Sequence, residues 1–193
     1  MKNSVFSIVL ILIGIVVSCH NETKSKSLNT KEEDVSKDTD YSPEVERKIQ
    51  LSIAQEVKQL KLKLQKESIS KQRIQFMMDT FQIVAFRSRK MDYFISTGDM
   101  NQIVSEEIVK YDRLMNIYYK RLYAKLDASD QEILQTAQKA WLEYRDKELA
   151  LCSTLRNEKY SGGGTIQSNI FTSLKCNLTR QRMNELFEHT CFE

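Results

Sequence analysis

Proline is almost missing from this chain: Pro43 is the only one in 193 residues, and three of the five glycines sit together at Gly162, Gly163 and Gly164. Long helices therefore meet few breakers, and no alternating strand pattern competes with them. Histidine is just as scarce. His20 and His189 stand near opposite ends, leaving a Ser/His or Cys/His arrangement little to draw on. Carboxylates are plentiful, but none stands in an apolar setting that would plainly raise its pKa for acid–base work. The glycine cluster follows a helical pattern and not a strand, unlike a phosphate-cradling loop. No CxxC pair occurs, so neither a metal site nor a cofactor is expected. The sequence offers no catalytic constellation, and no enzymatic activity is expected.

What is present first sets the compartment. Lys2 precedes an apolar run from Val5 to Val17, interrupted only by Ser7 and Gly14 and closing on Val16-Val17-Ser18-Cys19. That is the order of a secretory signal peptide, and it is shorter than the ~20 residues of a membrane-spanning helix. Its last four residues resemble the lipobox of bacterial lipoproteins, which implies cleavage after residue 18 and a lipid on Cys19. His20-Asn21 carries no clear retention signal, which favours the outer membrane within the cell envelope.

From His20 to Ser42 four lysines face six acidic residues, and little is available to bury, so residues 19–42 are expected to form a disordered tether. This segment carries −2 and Lys2 adds +1; with +3 for the whole chain, residues 43–193 carry +4. A mildly basic exported unit is most simply a solvated helical surface. Any acidic partner would be an envelope component and not nucleic acid.

The remainder reads as an all-α antiparallel bundle of about five helices, a helical hairpin over 43–98 packed as one unit with a helical domain over 99–193. Ser42-Pro43 is a start signal, followed at helical spacing by Val45, Ile49, Ile53, Val57, Leu60 and Leu64. A second stripe runs from Ile74 to Phe94, and Thr97-Gly98-Asp99 reads as a stop and a new cap. The third stripe, from Ile103 through Tyr111, Met115 and Tyr118 to Leu126, is the clearest. Ser129 with Glu132 reads as a capping box for a fourth helix carrying Leu134, Ala137, Trp141, Tyr144, Leu151 and Leu155. Ile166 to Leu186 suggests a last helix, interrupted near Lys175. About 150 residues suffice for a self-sufficient core. An extended hairpin of the first two helices, docked on a smaller bundle, is the alternative.

With Cys19 assigned to lipid, Cys152, Cys176 and Cys191 remain in an oxidising compartment. A continuous helix between Cys176 and Cys191 would hold them far beyond the ~7 Å limit between bridged Cα atoms. Cys152 with Cys176 is the expected bridge, and Cys152 with Cys191 the alternative.

Four segments carry a resemblance. They are Asp112 to Tyr119 (DRLMNIYY), Ala137 to Asp146 (AQKAWLEYRD), Gly162-Gly-Gly-Thr165, and Leu178 to Leu186 (LTRQRMNEL). In this order they resemble the LprI-like lysozyme-inhibitor family over about residues 105–189. The resemblance implies an inhibitor of lysozyme acting by protein–protein binding. The family's usual cysteine one turn after the Arg-Asp pair is Leu149 here, with Cys152 three residues on.

Carried onto this chain, the family motif marks Asp112, Asn116, Tyr119, Gln138, Trp141, Tyr144, Arg145, Asp146, Thr179 and Arg182. Gln138, Trp141 and Arg145 share one stripe of the fourth helix, as do Asp112, Asn116 and Tyr119 on the third. Two readings follow. In one, these residues form a polar network that fixes helix register, with Arg145 stacked on Trp141 and Asp112 or Asn116 paired with Arg145 or Arg182. In the other, Trp141 and Arg145 border a binding surface, and the loop Ser161, Gly162, Gly163, Gly164 and Thr165 presents the tip that enters a partner's cleft. The competing function is an envelope scaffold, which would need an exposed apolar stripe on the first two helices.

Overall fold

The computed structural model describes residues 41–94 and 96–191; the leader, Cys19 and the tether up to residue 40 lie outside them, whereas Tyr41, at the end of the expected tether, packs against Tyr93 and Phe94. Among the described residues there are six helices: α1 (Pro43–Leu64), α2 (Lys71–Met91), α3 (Thr97–Tyr123), α4 (Ala128–Leu155), the single turn α5 (Glu158–Ser161) and α6 (Ile166–His189). None is long and apolar enough to cross a membrane.

Side-chain caps start the helices where backbone N–H groups lack partners. Ser42 accepts from Val45 N ahead of Pro43, and Ser70 and Ser96 do the same for α2 and α3. Two details differ from expectation. Ser96, not the Thr97-Gly98-Asp99 group, caps α3. At α4 the cap is Asp127, which accepts from Asp130 N at 3.0 Å and from Ser129 Oγ at 2.8 Å, so the Ser129–Glu132 box is not used. A carboxylate at the Ncap position takes the orphan N–H groups, and Ser129 falls inside the first turn.

The helices run up and down. α3 and α6 are parallel: Asn101 Nδ2 donates to Ser168 Oγ near their starts, and Lys125 Nζ donates to Thr190 O near their ends, each at 2.7 Å. α2 runs against both, tied by Arg73 to Glu188 at one end and by Lys90 to Glu106 at the other. α4 runs against them on another side, and α1 packs along α2. Unlike the expected interruption near Lys175, α6 is continuous.

The core follows the α3 stripe. Tyr111, Tyr118, Met183, Leu186 and Phe187 are almost fully enclosed, and Phe76 of α2 stacks on Phe187 with ring centroids 3.8 Å apart. A smaller cluster of Leu64, Ile74 and Met78 joins α1 to α2. Burial of these apolar and aromatic groups supplies the driving force for the bundle.

The outward side of α4 is a finding. Of its residues only Leu134 is buried, while Ala137, Tyr144, Leu151 and Leu155 from the expected inward stripe are exposed. Two stripes run along α4, and the one carrying Gln138, Trp141 and Arg145 takes the inner position.

Candidate functional site

Where α3, α4 and α6 meet, the motif residues converge. Asp112 from α3, Arg145, Asp146 and Leu149 from α4, and Lys175 and Thr179 from α6 line a groove of about 300 Å³. Arg145 lies with its guanidinium carbon 5.3 Å from the Trp141 ring centroid, as the stacking reading expects. Its Nε and Nη2 donate to Asp146 Oδ1 at 2.9 and 2.7 Å.

The expected cross-helix pairs are different ones. Asn116 Nδ2 donates within its own helix, to Asp112 O at 2.8 Å and Asp112 Oδ2 at 3.2 Å. Arg182 turns to α4, where its Nε donates to Gln138 Oε1 at 3.0 Å, and its Nη1 meets Glu185 at 3.0 Å. Asp112 and Asn116 are satisfied locally, so neither pairs with Arg145 or Arg182. Thr179 is buried and closes on its own helix through Lys175 O at 2.9 Å. Tyr119 packs beside Tyr123 at the edge of the core, whereas Tyr144 faces solvent, 52% exposed. The motif thus divides into a register pair, Gln138 with Arg182, and a surface formed by Tyr144, Asp146 and the half-buried Arg145 over Trp141.

The second expected element is the glycine loop. Gly162, Gly163 and Gly164 all have positive φ, at 74°, 76° and 92°. A Cβ would have room at each position, the nearest contact being Glu158 Cγ, 3.7 Å from a Cβ on Gly163. The requirement for glycine is therefore conformational and not steric. Ser161 secures the turn: its Oγ donates to Arg156 O at 2.8 Å and accepts from Gly163 N at 3.1 Å. Thr165 is exposed beside it, and Tyr160, Ile166 and Ile170 surround the loop at 57%, 58% and 48% exposure. This end of the unit is a shaped apolar tip.

The cysteines correct an expectation. Cys152, Cys176 and Cys191 are free thiols, and the Cys152–Cys176 bridge is not formed. The Gln138–Arg182 bond sets the antiparallel register and places Cys176 level with about residue 144 of α4. Cys152 lies two turns further on, roughly 12 Å along the axis and outside bridging range. Cys191 sits at the opposite end, near Phe187 O, so the alternative with Cys152 is not formed either. Cys176 is buried against the Glu107 carboxylate; burial first, and then that charge, push its thiol up to about 12.

Glu107 is the residue that sequence reasoning missed. It is 2% exposed, with Arg87 Nε 3.4 Å from one carboxylate oxygen, and neither oxygen meets a hydrogen-bond donor in good geometry. The signal was there: Glu107 lies four residues from both Ile103 and Tyr111, inside the inward stripe. Among the described residues no three His, Cys, Asp or Glu side chains gather as metal ligands. On α1, Leu51 and Leu62 are exposed with Gln55 and Lys58 between them, and α2 exposes Val84.

Comparison with known proteins adds one match: the family model described as Lysozyme inhibitor LprI covers residues 89–186, half of the chain. It takes in α3, α4, α5 and most of α6, and reaches back to the last turn of α2. No curated protein and no solved structure matches the chain significantly.

Proposed function

This chain belongs to the lysozyme inhibitor LprI family, and from that premise we propose that it is an exported lipoprotein whose helical unit binds lysozyme and blocks its cleft. In this reading the lipid on Cys19 holds it at the cell envelope, with the outer membrane favoured, and the chain protects wall polymer without catalysis of its own. The observation that carries the reading is the glycine tip: three consecutive positive-φ residues framed by exposed Tyr160, Ile166 and Ile170. A narrow turn with a fixed backbone loses little freedom on entering a cleft, and its apolar frame is covered on contact.

Electrostatics shape the mode of binding. Lysozymes are usually basic, and residues 43–193 are basic as well, so long-range steering opposes encounter and affinity comes from local contact. Added salt screens that repulsion and leaves apolar contact intact, so inhibition holds or improves as salt rises. The test is turbidimetric lysozyme activity with the chain and with Ile166→Asp/Ile170→Asp. Inhibition by the first and its loss in the second, with helical content unchanged by circular dichroism, supports the tip. Equal inhibition by both removes the tip from the mechanism.

A further inference from the structure

The outer face of α4 carries an exposed row of apolar side chains. Ile133, Ala137, Ala140, Tyr144, Leu151 and Leu155 are all exposed, Ile133 at 68% and the two leucines at 51% each. Their spacings of four, three, four, seven and four residues keep them within a narrow strip along the helix, with Lys147 and Glu148 at its edges across the seven-residue step. From Ile133 to Leu155 the strip runs about six turns, roughly 33 Å. Exposed apolar side chains aligned over that length mark a surface for contact.

We propose that this strip is a homodimer interface in which α4 packs antiparallel against α4 of a second copy, with Tyr144 at the two-fold axis. The two ends of the strip match each other about that residue. A two-fold through Tyr144 sets position i opposite 288 − i, so Ile133 faces the partner's Leu155, Ala137 faces the partner's Leu151, and Ala140 faces the partner's Glu148, whose aliphatic stem lies over the small side chain. Small stands against large at the Ala137 level, and Ala137 and Ala140 let the backbones approach closely.

Charge is complementary on both flanks. On one side of the strip Glu143 and Lys147 already pair within the helix at 2.6 Å, both well exposed. The two-fold brings Lys147 of one copy within about two residues of the height of Glu143 of the other, and the reverse, giving two reciprocal pairs. On the other flank Glu148 comes within one residue of the height of the partner's Trp141, where that copy's Arg145 guanidinium is held. A dimer formed this way leaves the glycine tip outside the strip. It also gives the exposed motif residue Tyr144 a role that cleft binding does not require.

Sedimentation equilibrium of the purified full chain, in mild detergent that accommodates its apolar N-terminus, reads the outcome. The unaltered chain is dimeric in the micromolar range. Lys147→Glu places like charges across both reciprocal pairs and weakens the dimer about tenfold, and adding Glu143→Lys restores it. Leu151→Glu abolishes the dimer with unchanged helical content. Tyr144→Cys, expressed in cells and run on a non-reducing gel, gives a disulfide-linked dimer absent from the unaltered chain. A chain monomeric at hundreds of micromolar overturns the proposal, as does a dimer indifferent to Leu151→Glu, or binding of the strip to vesicles of anionic lipid in place of self-association.

Discussion

Gln138 of α4 accepts a 3.0 Å hydrogen bond from Arg182 Nε of α6, and this bond fixes the register in which the motif residues meet. The Arg182 side chain is only 12% exposed, so its guanidinium depends on protein partners. Replacing Gln138 by Ala leaves Arg182 with Glu185 alone. The expected loss is about 2 kcal/mol, read as a lower urea midpoint with unchanged slope. A change below a few tenths would mean that the bond does not set the register.

Glu107 tests the cost of a buried charge. Glu107→Leu removes a carboxylate whose hydrogen bonding is incomplete, and the expected result is unchanged or higher stability. Arg87→Ala leaves that carboxylate without its ion-pair partner, with an expected loss of about 3 kcal/mol. Thermal melts of the two variants should therefore move apart, and a matching fall in both would contradict this account.

Alkaline pH reaches three enclosed groups together. Burial pushes Tyr111 and Tyr118 up to about 12 from 10.0, and Cys176 to about 12 from 9.0, its rise helped by the Glu107 charge. Each raised acid is protonated in the folded chain where the unfolded chain has lost its proton. The stability it contributes is present below the ordinary pKa and is lost as pH rises through the folded one. Stability should fall from about pH 9 to pH 12, by up to roughly 1.4 kcal/mol per pH unit for each group in its window. Denaturant titrations at a series of pH values check the slope. In the same samples Cys176 should stay unreactive toward a thiol reagent at pH 8 until the chain unfolds.

Much of this fold was legible in the sequence because its signals were local. Ser42-Pro43 starts α1, and the α3 stripe from Ile103 to Leu122 is the core that forms. The α4 assignment was harder for a physical reason. Two stripes about 100° apart both repeat at helical spacing, and periodicity cannot tell which one meets α3 and α6. The more polar stripe won, because Gln138 finds Arg182 across the interface and Trp141 packs against the core. The expected bridge failed similarly: sequence separation says nothing of the α4–α6 register, which sets Cys152 two turns from Cys176. Arg145 over Trp141 was readable, since both residues lie on one helix.

The glycine tip should be intolerant of side chains even though space is open. Gly162→Ala, Gly163→Ala and Gly164→Ala each force an L-residue into positive φ, costing about 1 kcal/mol where the turn is retained. Chemical denaturation of the three variants checks this. No loss in any of them would mean that the turn relaxes freely and is not a fixed shape.

The most direct measurement is the rate of wall lysis by chicken-type and goose-type lysozymes with rising amounts of the purified chain at near-physiological salt. The account predicts dose-dependent inhibition of at least one type, weakened when Gly162, Gly163 and Gly164 are all replaced by Ala. Full lysis by both types with the chain at tens of micromolar would contradict it.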